Sequence, residues 1–322
     1  MLFIAAALMA ADVSGLSLEA TTPQRELLVG EPLRLTLRWK AARAVKHVAI
    51  EEPDFVFQSL LLSVNDGSGS RLYREYPHDI VERLLVTRSL GKDEEDVANL
   101  VFYRGGYLDR PGGEAQDGFL FPRKGEYSVT AIYAPEGTLS TVVSRAVRVK
   151  VMAPSGSDRA ILDLVAKDPM LLRGGGDRES QALVKELLSK HPDTRYLRWA
   201  KLRLFEERAN ALLDDRDPDT RESIFHLGAE GLADFRHKYY RRLAEDVLSE
   251  QGWGAFEEEA LALASLYAHG AGDKEMSERV KKDLFEKHPR SATVKRIKEV
   301  EAEPSDIEDD PPTVKPSPKP KQ

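Results

Sequence analysis

The chain has 322 residues, of which 41% are hydrophobic and 31% are charged. This length suits about two domains, and the composition is that of a soluble globular protein. Cysteine is absent, which excludes disulfide bonds, thiolate metal ligands and cysteine nucleophiles. The formal net charge of −7 argues against a nucleic-acid-binding protein, because such proteins usually carry a basic surplus.

The N-terminus begins with an apolar run, Met1–Ala11, that ends in small residues. This pattern is typical of a secretory signal peptide, so we expect residues 1–15 to direct export to a periplasm or the exterior. No lysine or arginine precedes the run, which leaves a buried strand or helix as the alternative. The run is too short for a bilayer, which needs roughly 20 residues, and no second apolar stretch follows. We therefore expect no stable membrane span.

The first half of the chain shows the two-residue alternation of β-strands. Apolar and polar side chains alternate from Leu33 to Trp39, after the turn sequence Gly30-Glu31-Pro32. A second alternation, Leu60–Val64, ends at Asn65-Asp66-Gly67, which predicts a hairpin with Arg71–Tyr73 as its return strand.

Weaker signals follow this hairpin. Leu84–Thr87 and Leu100–Tyr103 are further strand candidates. Lys92–Asp96 is an acidic segment and Gly105–Gly118 is rich in glycine and charge, so we expect both to be loops.

The last strands of this half carry a family resemblance. Phe119–Tyr133 reads F-L-F-P-R-K-G-E-Y-S-V-T-A-I-Y, and valines alternate from Val147 to Val151. Together with the opening strand after Gly30-Glu31-Pro32, these segments resemble bacterial immunoglobulin-like domains. The resemblance implies an antiparallel β-sandwich over residues 16–153. It also implies that Tyr127 is a corner tyrosine whose hydroxyl bonds back to the backbone.

Residues near the second predicted loop are candidate ligand contacts. Tyr103, Tyr107 and Asp109 combine aromatic rings with an acid, a combination that suits a sugar or a peptide. A solvated connection without a ligand is the alternative. The carbohydrate-binding hypothesis for this domain depends on these residues.

The spacing of apolar residues changes from a two-residue to a helical period after residues 154–157, which we interpret as a linker. Apolar residues recur at helical spacing from Phe256 to Tyr267 and from Phe235 to Val247, which predicts an all-α region over residues 158–303. Thr194, Asp217 and Asp273 are predicted to begin helices. Residues 304–322 are acidic and then rich in proline and lysine, so we expect a disordered tail.

One motif occurs twice in the helical region. Glu186–Pro192 reads E-L-L-S-K-H-P and Asp283–Pro289 reads D-L-F-E-K-H-P, followed at the same offset by Thr194 or Ser291. Because proline disfavours helical geometry in the residue before it, both motifs predict helix ends. They resemble the turns of tetratricopeptide-type repeats, although the full pattern of that family is not met. The resemblance implies helical-hairpin repeats that present a binding surface.

Aromatic residues beside the helical stripes are candidate partner contacts. These residues are Tyr196, Trp199, Tyr240 and Trp253. Tyrosine and tryptophan are enriched at binding hot spots, and packing between helices is the alternative.

No motif for catalysis is present in the sequence. It contains no phosphate-binding Gly-Lys loop, no zinc-binding His-Glu-x-x-His and no nucleophile elbow, and no two histidines have helical metal-pair spacing. We therefore predict no catalytic residue, no cofactor and no metal, and we expect Glu257–Glu259 to be solvated surface. The favoured function is binding or scaffolding of another protein or envelope component. A carbohydrate-binding module and an unrecognised hydrolase are the alternatives.

Overall fold

The computed structural model describes residues 15–48, 59–76, 88–108, 115–134, 140–175 and 177–302. In these ranges strands occupy the N-terminal half and helices the C-terminal part, which confirms the predicted order of β then α. The predicted signal peptide up to residue 14, strand 84–87, Asp109 and tail 304–322 lie outside the described residues. No described helix has both the length and the apolar character needed to cross a bilayer.

The strands of the described residues form two larger sheets and one small pair. They are β1 (Leu16–Thr21), β2 (Glu26–Leu28), β3 (Leu33–Ala41), β4 (Val45–Val48), β5 (Leu60–Asn65), β6 (Ser70–Glu75), β7 (Arg88–Leu90), β8 (Glu95–Phe102), β9 (Gly105–Leu108), β10 (Ala115–Gly118), β11 (Gly125–Tyr133), β12 (Val142–Val143) and β13 (Val147–Met152). One sheet has the order β1-β3-β8. The second has the order β10-β9-β6-β5-β11-β13-β2, with β12 paired to β11. Strands β4 and β7 form the small pair.

Both larger sheets contribute side chains to one hydrophobic core. The four alternate apolar residues of β3, from Leu33 to Trp39, are completely buried, as the two-residue period predicts. Trp39 meets Tyr133 of the other sheet edge to face, with ring centroids 5.6 Å apart. The opposite face of β3 therefore remains available for contact with the helical region.

Two local predictions for the β half are confirmed. Strands β5 and β6 form the predicted hairpin, with Asn65 paired to Ser70 across the turn. The Tyr127 hydroxyl donates a hydrogen bond to the carbonyl of Arg123 at 2.8 Å, as expected for a corner tyrosine.

Both loop predictions are wrong in part. Strand β8 already begins at Glu95, inside the predicted acidic loop, and the second loop starts and ends in strands β9 and β10. Strand β9 pairs with β6 because Gly105 permits a close approach: a Cβ there would lie 2.1 Å from the carbonyl oxygen of Arg74. Glycine therefore marks strand contact here, where the sequence suggested a loop.

The helical region contains seven α-helices and three 3₁₀ segments among the described residues. The helices are α1 (Gly156–Val165), α2 (Arg178–Lys190), α3 (Arg198–Leu213), α4 (Gly228–Ser249), α5 (Glu257–Gly270), α6 (Lys274–Lys287) and α7 (Ala292–Ala302). The 3₁₀ segments are Pro169–Arg173, Phe225–Leu227 and Gly254–Phe256. Helix α1 begins within the segment interpreted as a linker, and α5 packs against both α4 and α6.

Of the three predicted helix starts, one is confirmed. Asp273 caps α6 by accepting a hydrogen bond from the backbone amide of Met276. The prediction for Thr194 is wrong, because its hydroxyl donates to Asp158 and α3 begins only at Arg198. The prediction for Asp217 is also wrong, because its carboxylate closes an isolated turn ahead of the next helix.

The β and α regions pack directly against each other. Leu28 and Tyr103 belong to the β half, yet both are buried in the helical core. The ring of Tyr103 meets that of Trp199 edge to face, with centroids 4.6 Å apart. Gly30 has a φ of +75°, and a Cβ there would lie 3.2 Å from Leu162 of α1. The turn between β2 and β3 is thus inserted closely against the helices.

Candidate functional site

The larger cavity described for this chain is a cleft of about 370 Å³ between the first sheet and the helical region. Strands β1 and β3 with the loop after β1 form one wall, and α5 with the turn from α6 to α7 forms the other. The lining residues of this interdomain cleft are Glu19, Thr21, Thr22, Pro23, Arg34, Thr36, Arg38, Glu258, Lys287, His288, Pro289, Arg290 and Ser291. The second Lys-His-Pro motif therefore lines the cleft.

Arg34 is the buried cation at the base of the interdomain cleft. It lies on the face of β3 opposite the hydrophobic core, and only 3% of the residue is exposed. Its Nη2 is 2.5 Å from Glu258 and its Nε is 2.6 Å from Glu259, both on α5. Two carboxylates on one guanidinium anchor α5 to the sheet, because an unpaired charge at this depth would be strongly unfavourable.

The carboxylate of Glu258 is fully engaged. It accepts further hydrogen bonds from Asn99 at 2.8 Å and from the Thr293 hydroxyl at 3.0 Å. Burial alone would raise its pKa, but Arg34 and these donors hold the pKa below its ordinary value. The expectation that Glu257–Glu259 form solvated surface is wrong for Glu258, which is 4% exposed.

Glu259 differs from its neighbour in having fewer hydrogen-bond donors. Burial raises its pKa to about 7, against the attraction of Arg34. The pKa values of these two adjacent carboxylates are therefore shifted in opposite directions.

The backbone of Arg34 is held by the loop between β1 and β2. Its amide donates to the side-chain oxygen of Gln24 at 2.7 Å, and its carbonyl accepts from the Thr22 hydroxyl at 2.8 Å. The side-chain nitrogen of Gln24 donates to the carbonyl of Pro32 at 2.9 Å. These bonds position the floor of the cleft before any ligand is bound.

A second anchor joins the two regions near the first Lys-His-Pro motif. Glu31 is 5% exposed, and its carboxylate lies 2.9 Å from Nη2 of Arg195. It also accepts the backbone amide of Leu28 at 2.7 Å. Burial raises the pKa of Glu31 to about 7, although Arg195 acts in the opposite direction. Arg195 further donates to the carbonyl of Glu26, and Tyr196 donates to that of Val29.

A smaller cavity of about 110 Å³ adjoins the first motif. Its lining residues are Leu188, Pro192, Asp193, Thr194, Arg198, Lys201, Gln251, Gly252 and Trp253. The side chain of Lys201 pairs with Glu250 and lies 5.7 Å from the ring centroid of Trp253. Both Lys-His-Pro turns thus border cavities, and the second borders the larger one.

The candidate sugar contacts are not brought together on an open surface. Tyr103 is 4% exposed and packs against Trp199, as described above. Tyr107 is 9% exposed, donates its hydroxyl to the carbonyl of Leu120, and lies under the guanidinium of Arg71. Asp109 lies outside the described residues. The two rings are thus engaged in packing.

The aromatic candidates of the helical region lie in three different places. Tyr196 and Trp199 are buried at the contact with the β half. Tyr240 stacks on Tyr267 with centroids 6.1 Å apart. Trp253 borders the smaller cavity and donates its indole N–H to the carbonyl of Val247 at 3.2 Å. No shared groove contains all four.

Sequence reasoning missed Glu31, Arg34 and Glu258, the residues on which the interface depends. The sequence did contain a sign that Arg34 has a special role. The polar face of β3 carries Arg34, Thr36 and Arg38, so two arginines flank the threonine on that face. Nothing in the sequence identified Glu258 as the partner of Arg34. Among the described residues, no cluster of three or more histidine or acidic side chains could hold a metal ion.

One more buried carboxylate has a perturbed pKa. Glu75 accepts hydrogen bonds from the backbone amides of Tyr103 and Arg104, and its residue is 1% exposed. Burial raises its pKa to about 8, although these donors act in the opposite direction. It fixes the turn between β8 and β9, and it lines neither cavity.

Comparisons with known proteins identify no family for this chain. No family model matches it, and no curated protein matches it. A solved β-glucosidase from Erythrobacter marinus is 16% identical over 42% of this chain and 15% of its own, with a TM-score of 0.24. A β-glucosidase from Listeria innocua is 14% identical over 42% and 16% of the two chains, with a TM-score of 0.23.

A third solved structure is the CARDB domain of a Pyrococcus furiosus protein, in complex with di-metal ions. It is 17% identical, and the match covers 42% of this chain and 87% of that domain, with a TM-score of 0.21. This chain spans only about a sixth of the two β-glucosidases. Scores this low carry no conclusion about fold or activity.

Proposed function

We propose that this protein is an exported, non-enzymatic binding or scaffolding protein of a bacterial envelope or exterior. In this proposal an immunoglobulin-like sandwich and tetratricopeptide-like helical hairpins jointly form a partner site, the interdomain cleft. The observation that carries the proposal is that both regions line this cleft and are anchored together by the buried ion pairs of Arg34 and Glu31.

Three features support the proposed architecture. The two larger sheets share one core, and Tyr127 makes the corner hydrogen bond. In the helical region, the Lys-His-Pro turns link α2 to α3 and α6 to α7, and α4 packs against α5 between them. Helices that pack against the next helix in the chain, as α4 does with α5 and α5 with α6, are the arrangement expected for hairpin repeats.

Rigidity favours binding as the role of the cleft. Its floor is held by hydrogen bonds and buried ion pairs within the chain, so a partner would have little ordering to impose there. Residues with strongly perturbed pKa values are usual candidates for catalysis. Here Glu31 and Glu259 are paired with arginines and Glu75 binds a backbone turn, which supports structural roles for these acids.

The test is site-specific photo-crosslinking with the full chain. A photoreactive benzophenone amino acid would replace Thr21, which is exposed and lines the cleft. The matched control places it at Ser17, which is exposed on the same strand and does not line the cleft. We expect Thr21 to crosslink one envelope protein that also binds after purification. Equal labelling from both positions, or none from Thr21, would contradict the proposal.

A further inference from the structure

Strand β1 is an edge of the first sheet, whose order is β1-β3-β8. Within the described residues it forms a hydrogen-bonded ladder with β3 alone. Strand β12 lies beside β1, but it pairs with β11 of the second sheet and makes no backbone hydrogen bond with β1. One edge of β1 therefore has no hydrogen-bonded strand in the described part of the chain.

The register of the sheet shows which backbone groups face this open edge. In an antiparallel pair, hydrogen-bonded and non-hydrogen-bonded residue pairs alternate. Ala42 donates its amide to the carbonyl of Gly15, so the odd-numbered residues of β1 are the ones bonded to β3. The N–H and C=O groups of the even-numbered residues, Leu16, Leu18 and Ala20, therefore point to the open edge. No hydrogen bond within the described residues engages them.

Two other edges of the larger sheets are covered by the helical region. Helix α7 packs against β8, and Lys295 donates a hydrogen bond to the carbonyl of Glu95 at that edge. At β2, Arg195 donates to the carbonyl of Glu26 at 2.7 Å. Proteins usually protect edge strands, because a free edge pairs readily with another strand. The free edge of β1 is therefore a candidate site for strand pairing.

The exposure of β1 agrees with a free edge. Leu18 and Ala20 belong to the hydrophobic core, yet they keep 7% and 8% exposure. Leu35 and Leu37 of β3, which has a strand on each side, are completely buried. The difference is the one expected between a strand with one neighbour and a strand with two.

We propose that the open edge of β1 pairs with β1 of a second copy of this chain. The two strands run antiparallel, and a twofold axis passes beside Leu18. In this register Leu18 lies opposite Leu18 of the second copy, and Leu16 lies opposite its Ala20. The backbone groups that face the open edge of one copy thus meet the matching groups of the other.

Side-chain chemistry favours this register and a second copy as the occupant. On the exposed face, Ser17 lies opposite Glu19 of the second copy, so no like charges are opposed. A shift by two residues in one direction would place the two Glu19 carboxylates opposite each other, which is unfavourable. A shift in the other direction would shorten the paired segment. The strand is therefore complementary to itself in one register.

The pairing places both interdomain clefts on one side of a continuous sheet. Residues opposite each other in an antiparallel pair point to the same face. Glu19 and Thr21 line the cleft from the exposed face of β1, so the clefts of both copies open on that face. Two clefts would raise the effective affinity for a partner that repeats its binding segment. This consequence rests on the proposed function, whereas the pairing itself does not.

The main test uses engineered disulfides in the full chain, which contains no cysteine of its own. Ser17→Cys and Glu19→Cys chains are purified separately, mixed and oxidised. The proposed register brings these two positions to about 5 Å between Cβ atoms, near the spacing that a disulfide needs. Two copies of the same variant meet only on a diagonal of about 7–8 Å. We expect the mixed dimer, identified by its mass, to form about tenfold faster than either dimer of identical chains.

The matched control pair is Glu126→Cys mixed with Arg148→Cys. Both residues are exposed on neighbouring strands of the second sheet, away from β1. Their mixture should form disulfide dimers no faster than random collision allows. Equal rates for the β1 pair and this control pair would overturn the proposal.

A second measurement is sedimentation equilibrium of the unmodified chain up to about 1 mM, because one strand pair is a small interface and the dimer should be weak. Ala20→Pro removes an N–H that faces the open edge and takes none from the ladder with β3. It should weaken the dimer about tenfold, with urea unfolding confirming that the variant folds. A chain that stays monomeric, or an Ala20→Pro variant that dimerises equally well, would contradict the pairing. The disulfide test does not depend on this variant.

Photo-crosslinking separates this proposal from the proposed function. The probe at Ser17 should capture a second copy of the chain, whereas the probe at Thr21 should capture an envelope protein. The masses of the crosslinked products distinguish the two. Capture of an envelope protein at Ser17, with a monomeric chain, would replace the second copy by a strand of that protein. Failure at Thr21 alone would leave the strand pairing intact and remove the proposed function.

Discussion

The two Lys-His-Pro turns have the same backbone hydrogen bonds, but different ion pairs beside them join the helical region to the β half. In each, the histidine amide donates to the carbonyl four residues earlier, at 2.8 Å for His191 and 2.9 Å for His288. In each, the histidine carbonyl then accepts the amide of Thr194 or Ser291, at 3.1 and 3.0 Å. The repeated local sequence therefore produces one repeated local structure.

The ion pairs beside the two turns have opposite polarity. Beside the first turn, the β half supplies a buried acid, Glu31, and the helical region supplies Arg195. Beside the second, the β half supplies the buried Arg34 and the helical region supplies Glu258 and Glu259. An arginine stays charged at any physiological pH, whereas a buried carboxylate can become neutral. The two anchors should therefore respond differently to mutation of the residue that the β half supplies.

The largest effect should come from removing the anchor beside the second turn. Arg34→Met leaves two carboxylates without their buried cation, so we expect a loss of about 3–5 kcal/mol in the free energy of unfolding. Urea unfolding followed by circular dichroism measures it. Arg25→Met, at an exposed position before β2, is the control and should change the stability little. A loss below about 1 kcal/mol for Arg34→Met would contradict the assigned role.

The anchor beside the first turn should be weaker. Glu31→Gln keeps an acceptor for the Leu28 amide but removes the charge facing Arg195, whose side chain is 24% exposed. We expect a loss of no more than about 1 kcal/mol at neutral pH in the same assay, because the cost of burying the Glu31 carboxylate offsets much of its attraction to Arg195. Glu26→Gln, which removes a solvent-exposed ion pair with Lys150, serves as the comparison. Equal losses for Glu31→Gln and Arg34→Met would contradict the difference between the anchors.

The stability of the protein should depend on pH through buried carboxylates at both anchors. The folded-state pKa of Glu31 is raised to about 7, so its contribution to stability is fully present below the unfolded pKa and is lost as pH rises through 7. The pKa of Glu259 at the other anchor is raised to about 7 and that of Glu75 to about 8, and both contribute with the same sign. We expect the free energy of unfolding to fall between pH 5 and pH 8. In Glu31→Gln the total fall over this range should be smaller by about 1–2 kcal/mol. An unchanged slope in that variant would argue against this assignment.

The smallest effect should come from the two residues at the same offset after the Lys-His-Pro motifs, Thr194 and Ser291. Ser291 caps α7, so Ser291→Ala should cost about 1 kcal/mol. Thr194 occupies the same offset but bonds Asp158, so Thr194→Ala should cost only a typical side-chain hydrogen bond, about 0.5–1 kcal/mol. Thermal unfolding of both variants, with Ser249→Ala in an exposed helix end as control, measures the difference. A larger loss of stability in Thr194→Ala than in Ser291→Ala would indicate that the helix cap contributes less than the hydrogen bond to Asp158.

Local sequence patterns predicted much of the fold. The hairpin at Asn65-Asp66-Gly67 and the cap at Asp273 depend on neighbouring residues only, and both are present. Predictions failed where a local signal had a distant competitor. Thr194 is a residue type that often caps helices, but its hydroxyl donates a hydrogen bond to Asp158 instead. Gly105 is a residue type common in loops, but it pairs with β6 as part of a strand.

The candidate site was predicted far less well than the fold. The aromatic candidates were chosen because their rings suit binding, and Tyr103, Tyr196 and Trp199 use that same apolar surface to join the two halves. The cleft depends instead on charged residues whose role appears only when both regions are in place. One part of the cleft is visible in the sequence, because the second Lys-His-Pro motif is a repeated feature of the helical region.

The sequence by itself determined the change from a two-residue to a helical period and the helix ends at His191 and His288. Side-chain alternation and the steric effect of proline act within a few residues, so they need no tertiary context. Only the tertiary structure decided that Arg34 is buried, because its partner Glu258 lies 224 residues further along the chain. Burial of a charge depends on a partner brought close by folding, and no local pattern encodes that distance.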